Sequence, residues 1–297
     1  MELIERTRAS LGAVGVWLAN APLKPPLDVE RRETRRLDGL GYGSLWSGEG
    51  VGAREALAIH GILLGDTRNL VLGTGIANVW YRPAATLQTG AAILAAAHPG
   101  RFVLGVGIGH AFQAAKTGGD YRPLTQMRDY LSEMDAEAEA NPPAVEFPRV
   151  LAAVGPRMLE LARERAEGAH PFFTPVEHTA FAREILGPDK LLIPQVHVLL
   201  ETDPVRARES QHDWLRYALD VKPYANAWRR FGYETELTDR FIDAAVAWGD
   251  EEAVARRVRE HLDAGADHVL VTPSTNDLPA QVDMLAKLAP ALLEVTK

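Results

Sequence analysis

Two residues with proton-transferring side chains stand just after short apolar runs of the sequence. Glu49 follows the run Ser44–Ser47 and one glycine, and His110 follows the glycine-rich segment Gly105–Gly109. An imidazole titrates near neutral pH, and a carboxylate does so where a water-poor site raises its pKa, so either residue could be a general acid or base. Each also has a structural interpretation, Glu49 as a solvated loop carboxylate and His110 as a packing histidine.

Two glycine-rich segments indicate places where a ligand could approach the backbone. The sequence GVGIGH at residues 105–110 resembles a dinucleotide-binding loop, but its sixth position holds His110 where the G-x-G-x-x-G pattern requires glycine. The sequence GTGI at residues 73–76 places two glycines around a threonine. Glycine inside a strand marks either a bend or bulge of the chain or close contact with a ligand.

Small or hydroxyl residues also begin two predicted helices, at Gly155-Pro156 and at Thr174-Pro175. The free N–H groups at a helix start, together with the positive end of the helix dipole, favour a bound phosphate. Proline suits the first helical position, and N-capping would explain Thr174 without any ligand. These positions are candidates for holding an anionic group.

The composition excludes several classes of chemistry. The 297 residues include no cysteine and no H-x-H or H-x-x-x-H pair, so the sequence predicts no metal site. No G-x-S-x-G elbow is present either. A net charge of −8 argues against nucleic acid as a partner, and no apolar run approaches the ~20 residues of a membrane span. We expect a cytoplasmic protein that acts on a small molecule, without membrane or nucleic-acid partners.

Short apolar runs alternate with longer amphipathic ones along the chain, as is typical of strand–helix units around a parallel sheet. Eight such runs predict a single (β/α)8 TIM barrel over residues 1–297, with a doubly wound sheet as the main alternative. The extra length falls at about 111–123 and 201–266, and we expect the second stretch to be helical. The predicted strands are Ala13–Leu18, Ser44–Ser47, Leu70–Ile76, Phe102–Val106, Val150–Ala153, Ala169–Phe172, Leu191–Leu200 and His268–Val271.

Five longer strings together resemble the luciferase-like flavin and deazaflavin oxidoreductases. They are LGTGIANVWYRPAATLQTGAAILAAAHPGRFVLGVGIGHA, YRPLTQMRDYL, AAVGPRMLELA, TPVEHT and GDEEAVARRVREHLDAGADHV. The likeness is greatest to actinobacterial members that use coenzyme F420. It implies a barrel of the bacterial-luciferase-like type, a homodimer, and transfer of a hydride between C5 of the deazaflavin and a small organic substrate.

The resemblance also implies roles for particular residues. A non-prolyl cis peptide at Gly75–Ile76 is expected in a bulge behind the cofactor ring, and His110 and Glu49 become the candidate catalytic residues. The strand-two end and the strand-four loop would lie beside the ring, and the turns after strands five and six would hold the phosphate-bearing tail. The implied cofactor-binding residues are Ser47, Gly75, Ile76, Gly107, Ile108, Gly109, Gly155, Pro156, Thr174 and His178.

Three departures from the family pattern bear on function. Gly48-Glu49 replaces an acidic–histidine pair, and His110 stands where sugar-phosphate-oxidising relatives have a glutamate. His178 lies in a segment where some relatives have a phosphate-binding lysine. Sugar phosphates are therefore not expected as substrates. Two alternatives remain beside the F420 enzyme, namely an FMN-dependent monooxygenase and a non-catalytic paralogue that binds flavin or deazaflavin.

Overall fold

The barrel is built from parallel strands with helices between them. The computed structural model describes residues 2–18, 24–49, 54–234, 236–275 and 277–294. The strands are β1 (Val14–Leu18), β2 (Ser44–Ser47), β3 (Val71–Thr74), β4 (Ala77–Asn78), β5 (Phe102–Gly107), β6 (Arg149–Ala152), β7 (Gly168–His170), β8 (Leu191–Leu192), β9 (Gln195–Leu200), β10 (Val246–Gly249) and β11 (Val269–Pro273).

The helices surround this sheet. The first helix packs against the N-terminal ends of the strands. They are α1 (Glu2–Leu11), α2 (Leu27–Asp38), α3 (Ala56–Asp66), α4 (Ala84–Ala97), α5 (Ala111–Lys116), α6 (Pro123–Ala140), α7 (Pro156–Arg165), α8 (Val176–Leu186), α9 (Pro204–Glu209), α10 (His212–Leu219), α11 (Lys222–Arg230), α12 (Asp239–Ala245), α13 (Glu251–Asp263) and α14 (Leu278–Glu294). None of the described helices is both long enough and apolar enough to cross a bilayer.

The strand order follows the chain, and the sheet closes on itself. Every pairing is parallel, in the order β11, β1, β2, β3, β5, β6, β7, β8. The strands β8 and β9 are successive parts of one extended segment, separated only by Ile193 and Pro194. Because β8 pairs with β7 while β9 pairs with β11, this segment completes the ring. The predicted (β/α)8 barrel is confirmed.

The stretch 201–266 departs from the helical expectation at one place. Most of it is helical, from α9 to α13. The exception is Val246–Gly249, which forms β10 and pairs in parallel with His197–Leu200 of β9. The predicted strand Leu70–Ile76 is also shorter than expected, because the chain leaves the sheet at Gly75 and pairs again, with β5, at Ala77–Asn78.

A tryptophan fills the centre of the barrel because neighbouring strands carry glycine there. Trp46 is fully buried, and a Cβ atom added at Gly73 would lie 2.3 Å from its ring. The Trp46 indole N–H donates to Ser44 Oγ (2.9 Å), which lies 2.6 Å from His268 Nε2. His268 Nδ1 lies 2.9 Å from the Gly12 carbonyl, so Nδ1 carries the proton and Nε2 accepts from Ser44.

Substituting Gly73 by alanine is expected to lower the free energy of unfolding by about 1–3 kcal/mol, because the added methyl overlaps the Trp46 ring. Gly65 is the matched control, since it lies in α3 with open space around its Cβ position. Gly65→Ala should be stabilising by up to about 1 kcal/mol. Urea denaturation of both variants measures the difference, and equal stabilities would contradict the packing argument.

Candidate functional site

A cavity of about 390 Å³ opens at the C-terminal ends of the strands, where barrel active sites lie. Its volume is within the range of small-molecule sites. Most of the wall comes from the residues at or just after the ends of β1 to β7, and the rest comes from α5, α7, α11 and the Tyr121–Pro123 turn. The wall residues are Trp17, Gly48, Glu49, Gly75, Ile76, Asn78, Ile108, Gly109, His110, Gln113, Tyr121, Pro123, Ala152, Ala153, Val154, Gly155, Met158, His170, Phe172, Pro223 and Tyr224.

The bulge at Gly75–Ile76 forms part of the cavity wall, and its peptide bond is cis, as expected. Three hydrogen bonds fix its backbone. Gly75 N–H donates to the Ser47 carbonyl (2.8 Å), and Glu49 N–H donates to the Ile76 carbonyl (3.2 Å). The Trp17 indole N–H donates to the Gly75 carbonyl (2.9 Å). Ser47 therefore positions the bulge through its backbone, and it is not one of the wall residues.

Gly107 and Gly109, at and just after the end of β5, are required by close contacts. A Cβ at Gly107 would lie 2.4 Å from the Ile76 side chain, so Gly107 makes room for the bulge without lining the cavity. Gly109 has a φ of +60°, and a Cβ there would meet Gln113 and Asn78. Ile108 and Gly109 do line the cavity.

His110 directly follows Gly109, in the cavity wall, and immediately precedes α5. Its backbone N–H donates to the Gln113 side-chain oxygen (2.8 Å). Its ring stacks on Phe112, with centroids 5.7 Å apart, and meets the Tyr224 ring edge-to-face at 5.4 Å. Burial lowers the pKa of His110 below its ordinary value of 6.5. The imidazole is therefore neutral at neutral pH.

Glu49 also lies in the wall, and its carboxylate is fully engaged in hydrogen bonds and an ion pair. Arg82 forms an ion pair with both carboxylate oxygens, one at 3.0 Å. The same oxygens accept the backbone N–H groups of Asn78 (2.9 Å) and Ala56 (3.2 Å). A carboxylate held by four donors has no vacant oxygen for a substrate proton. These contacts tie β4 and α3 to the end of β2.

The residues predicted to hold a phosphate lie in two different environments. Gly155 and Pro156 begin α7 as its N-cap and first residue, as expected, and Gly155 lines the cavity. Thr174 is buried outside the wall, and its hydroxyl has no hydrogen-bond partner among the described residues. The N-cap of α8 is Pro175, so capping does not account for Thr174.

His178 does not fit a role in binding a phosphate. It is fully buried, and its Nε2 lies 2.8 Å from the Val154 carbonyl. Burial lowers its pKa to about 4, so the ring carries no positive charge at neutral pH. Its contact instead fixes Val154, which lines the cavity next to Gly155.

The structure thus brings seven of the twelve predicted site residues together around the cavity. Those in the wall are Glu49, Gly75, Ile76, Ile108, Gly109, His110 and Gly155, whereas Ser47, Gly107, Pro156, Thr174 and His178 lie outside it. Among the described residues, no group of three His, Asp or Glu side chains is arranged to hold a metal ion.

A second histidine, His170, lies in the wall and was not predicted. It is at the end of β7, with Nδ1 2.7 Å from the Ile193 carbonyl, and burial lowers its pKa to about 4. Its Nε2 has no partner among the described residues and lies 3.5 Å from the Cβ position of Gly75. The alternation of inward-facing positions Gly168, His170 and Phe172 along the strand could have identified it.

Comparison with known proteins agrees with this architecture. A sequence model of the luciferase-like monooxygenase family matches residues 9–268. The chain belongs to the luciferase-like monooxygenase family. Its members are oxidoreductases and monooxygenases.

Three solved structures share the fold at low sequence identity. An F420-dependent secondary alcohol dehydrogenase in complex with an F420–acetone adduct has a TM-score of 0.74 and 17% identity, over 95% of this chain and 99% of that one. The F420-dependent tetrahydromethanopterin reductase from Methanopyrus kandleri has a TM-score of 0.72 and 17% identity, over 95% of this chain and 99% of that one. The FMN-bound oxygenating constituent of 3,6-diketocamphane monooxygenase from Pseudomonas putida has a TM-score of 0.69 and 13% identity. The match covers 95% of this chain and 98% of that one.

Proposed function

We propose that this protein is an F420-dependent oxidoreductase that transfers a hydride between C5 of the deazaflavin and a small organic substrate. The observation that carries this proposal is the placement of the neutral His110 in the same cavity wall as the Gly75–Ile76 bulge. The two F420-dependent enzymes among the structural neighbours support it.

The wall residues fit a flat ring at one end of the cavity. Gly75, Ile76, Ile108 and Gly109 present small or aliphatic groups there, and Gly48 has no side chain. A phosphate-bearing tail would extend toward Gly155, where a Cβ would meet open space. The buried Thr174 hydroxyl, which lacks a hydrogen-bond partner among the described residues, is a second candidate donor for this tail. When bound, a deazaflavin supplies a carbon centre that exchanges hydride.

The chain's own residues would handle the substrate and its proton. His110 would take the proton from a substrate hydroxyl in the oxidation direction, or return it in reduction. The Tyr224 ring lies beside it, with centroids 5.4 Å apart, and Phe172 packs against Tyr224 at 5.9 Å; the two rings would exclude water from the reacting atoms. Glu49 and Arg82 would keep the backbone around the bulge in place.

An FMN-dependent monooxygenase is the second candidate. Two observations favour it: the FMN-bound structural neighbour, and the lack of any lysine or arginine among the described wall residues. Several cations are the usual partners of a long anionic cofactor tail. A non-catalytic paralogue would bind one of the two cofactors and turn over no substrate.

Titration of the cofactor-free protein with FMN and with F420, each followed by fluorescence quenching, separates these candidates. F420 is expected to bind the more tightly. Substituting Gly75 by valine should weaken this binding at least about tenfold, because its side chain would contact Trp17 and displace the bulge. Gly65→Ala is the control, and its F420 affinity should equal that of the wild type. Preference for FMN would overturn the F420 assignment, and binding of neither would overturn the proposal.

We also propose that the protein forms a homodimer through α3 and α4. Gly61 and Gly90 bring these helices close together, and each helix exposes an isoleucine, Ile62 (40% exposed) and Ile93 (68% exposed). Small side chains allow close helix contact, and exposed apolar groups favour burial in an interface. Ile93→Glu should therefore yield monomers in sedimentation equilibrium at micromolar concentration. A wild-type protein that is monomeric under the same conditions would contradict this assignment.

A further inference from the structure

The cavity wall carries almost no net charge among the described residues. Its one carboxylate, Glu49, is paired with Arg82, which also forms an ion pair with the exposed Glu55. Both histidines of the wall, His110 and His170, are neutral at neutral pH because burial lowers their pKa values. Burial also raises the pKa values of the two wall tyrosines, Tyr121 and Tyr224, so neither is ionised there.

The charged side chains that adjoin wall residues of the helices in sequence are exposed. Residues 19–23 and 50–53, which follow β1 and β2 in the chain, contain no ionisable side chain. The cations nearest in sequence to wall residues of the helices are Arg122, Arg157 and Lys222, and all three side chains are exposed. They lie outside the wall, where water solvates them.

One side of the cavity is a continuous aromatic surface. Phe172 contacts Trp17 edge-to-face, with centroids 5.1 Å apart, and packs against Tyr224 at 5.9 Å. Tyr224 in turn contacts His110 at 5.4 Å. Met158, from the first turn of α7, adds a flexible apolar side chain to the same wall. A ligand that reaches His110 therefore passes along apolar groups.

From this arrangement we propose that the substrate is an uncharged, largely apolar molecule with a hydroxyl or carbonyl group, and that Met158, Phe172 and Tyr224 select against anions. The inference rests on the proposed function, since it takes His110 as the group that meets the substrate's oxygen. An anionic substrate would lose its water shell and gain no cation in return. A single hydroxyl or carbonyl group, by contrast, can hydrogen-bond to the neutral imidazole.

Two probes that differ mainly in charge test this selection, cyclohexanone and cyclohexanecarboxylate. Calorimetric titration of the purified protein should show cyclohexanone binding at least about tenfold more tightly. Met158→Lys places a cation in the wall and should raise the affinity for the carboxylate at least about tenfold. Val205→Lys is the matched control, because it adds the same charge on α9 at a side chain that is 59% exposed. Its affinities should equal those of the wild type.

Three results would overturn the proposal: tighter binding of the carboxylate to the wild type, binding of neither probe, or an equal shift in the two lysine variants. Titrations with F420 and FMN on the same preparations report separately on the proposed function. If neither F420 nor FMN binds but cyclohexanone still binds more tightly than cyclohexanecarboxylate, the proposed function is overturned. The proposal that the cavity selects against anions then still holds.

Discussion

Replacing His110 by alanine is expected to lower kcat at least about 10²-fold while the affinity for F420 stays that of the wild type. Hydride transfer to or from a carbon bearing oxygen requires a proton to move at that oxygen, and His110 is the wall residue placed for it. His110→Gln keeps a polar side chain but cannot transfer the proton, so it should be equally slow. Phe112→Leu is the control, because Phe112 stacks on His110 and is not one of the wall residues.

The pH profile gives an independent check of this role. In the oxidation direction the active form is the neutral imidazole, so kcat should fall as pH drops through a pKa below 6.5. In the reduction direction the active form is the imidazolium, so kcat should fall as pH rises through the same pKa. Both limbs should vanish in His110→Gln. Full activity of both His110 variants on a substrate found by screening alcohols and ketones would show that His110 only lines the cavity.

The barrel could be predicted because its strands are buried on both faces. Inward-facing residues such as Trp46 and outward-facing ones such as Leu45 are both apolar. Each strand therefore forms a short, unbroken run of apolar residues in the sequence. This rule fails at Val246–Gly249, which directly follows the apolar end of α12. A short apolar run next to a helix does not distinguish strand from helix, and the pairing of this run with β9 is a tertiary contact.

Site residues could be predicted where they lie in or next to a glycine-rich motif of the sequence. Those contributed by distant segments of the chain could not. Gly75, Gly109 and His110 lie within such motifs. Phe172 and Tyr224 join the cavity through packing between β7 and an inserted helix, which no local pattern records. The pairing of Glu49 with Arg82 could not be predicted, because Arg82 is 33 positions away in the chain. The two meet only when the ends of β2 and β4 are brought together.

Acid is expected to destabilise the protein well above the pH range in which its carboxylates titrate. Five buried histidines have pKa values far below the ordinary 6.5, because burial disfavours their charged form. The values are about 4 for His170, His178 and His268 and about 3 for His197 and His261. In the unfolded chain each returns to about 6.5. Below that pH the unfolded state therefore binds more protons than the folded state.

The sign of the effect follows from this difference in bound protons. The free energy of unfolding is highest above pH 6.5 and falls as pH drops from 6.5 toward about 4, by up to about 1.4 kcal/mol per pH unit for each histidine. Asp and Glu, with ordinary pKa values near 4, contribute little above pH 5.5. Urea denaturation at pH 8.0, 7.0, 6.0 and 5.5 should therefore show a small loss of stability between the first two values and a steep loss between the last two.

A single variant can assign part of this slope to one residue. The His197 ring lies 3.9 Å from the Trp214 ring, centroid to centroid, and its Nε2 has no partner among the described residues. Phenylalanine can fill the same aromatic cluster without titrating, so His197→Phe should reduce the slope below pH 6.5 by up to about 1.4 kcal/mol per unit. The half-exposed His212 provides a control for the replacement of a histidine as such, in the variant His212→Asn. Equal slopes in all three proteins would mean that His197 gains its proton without opening the aromatic cluster.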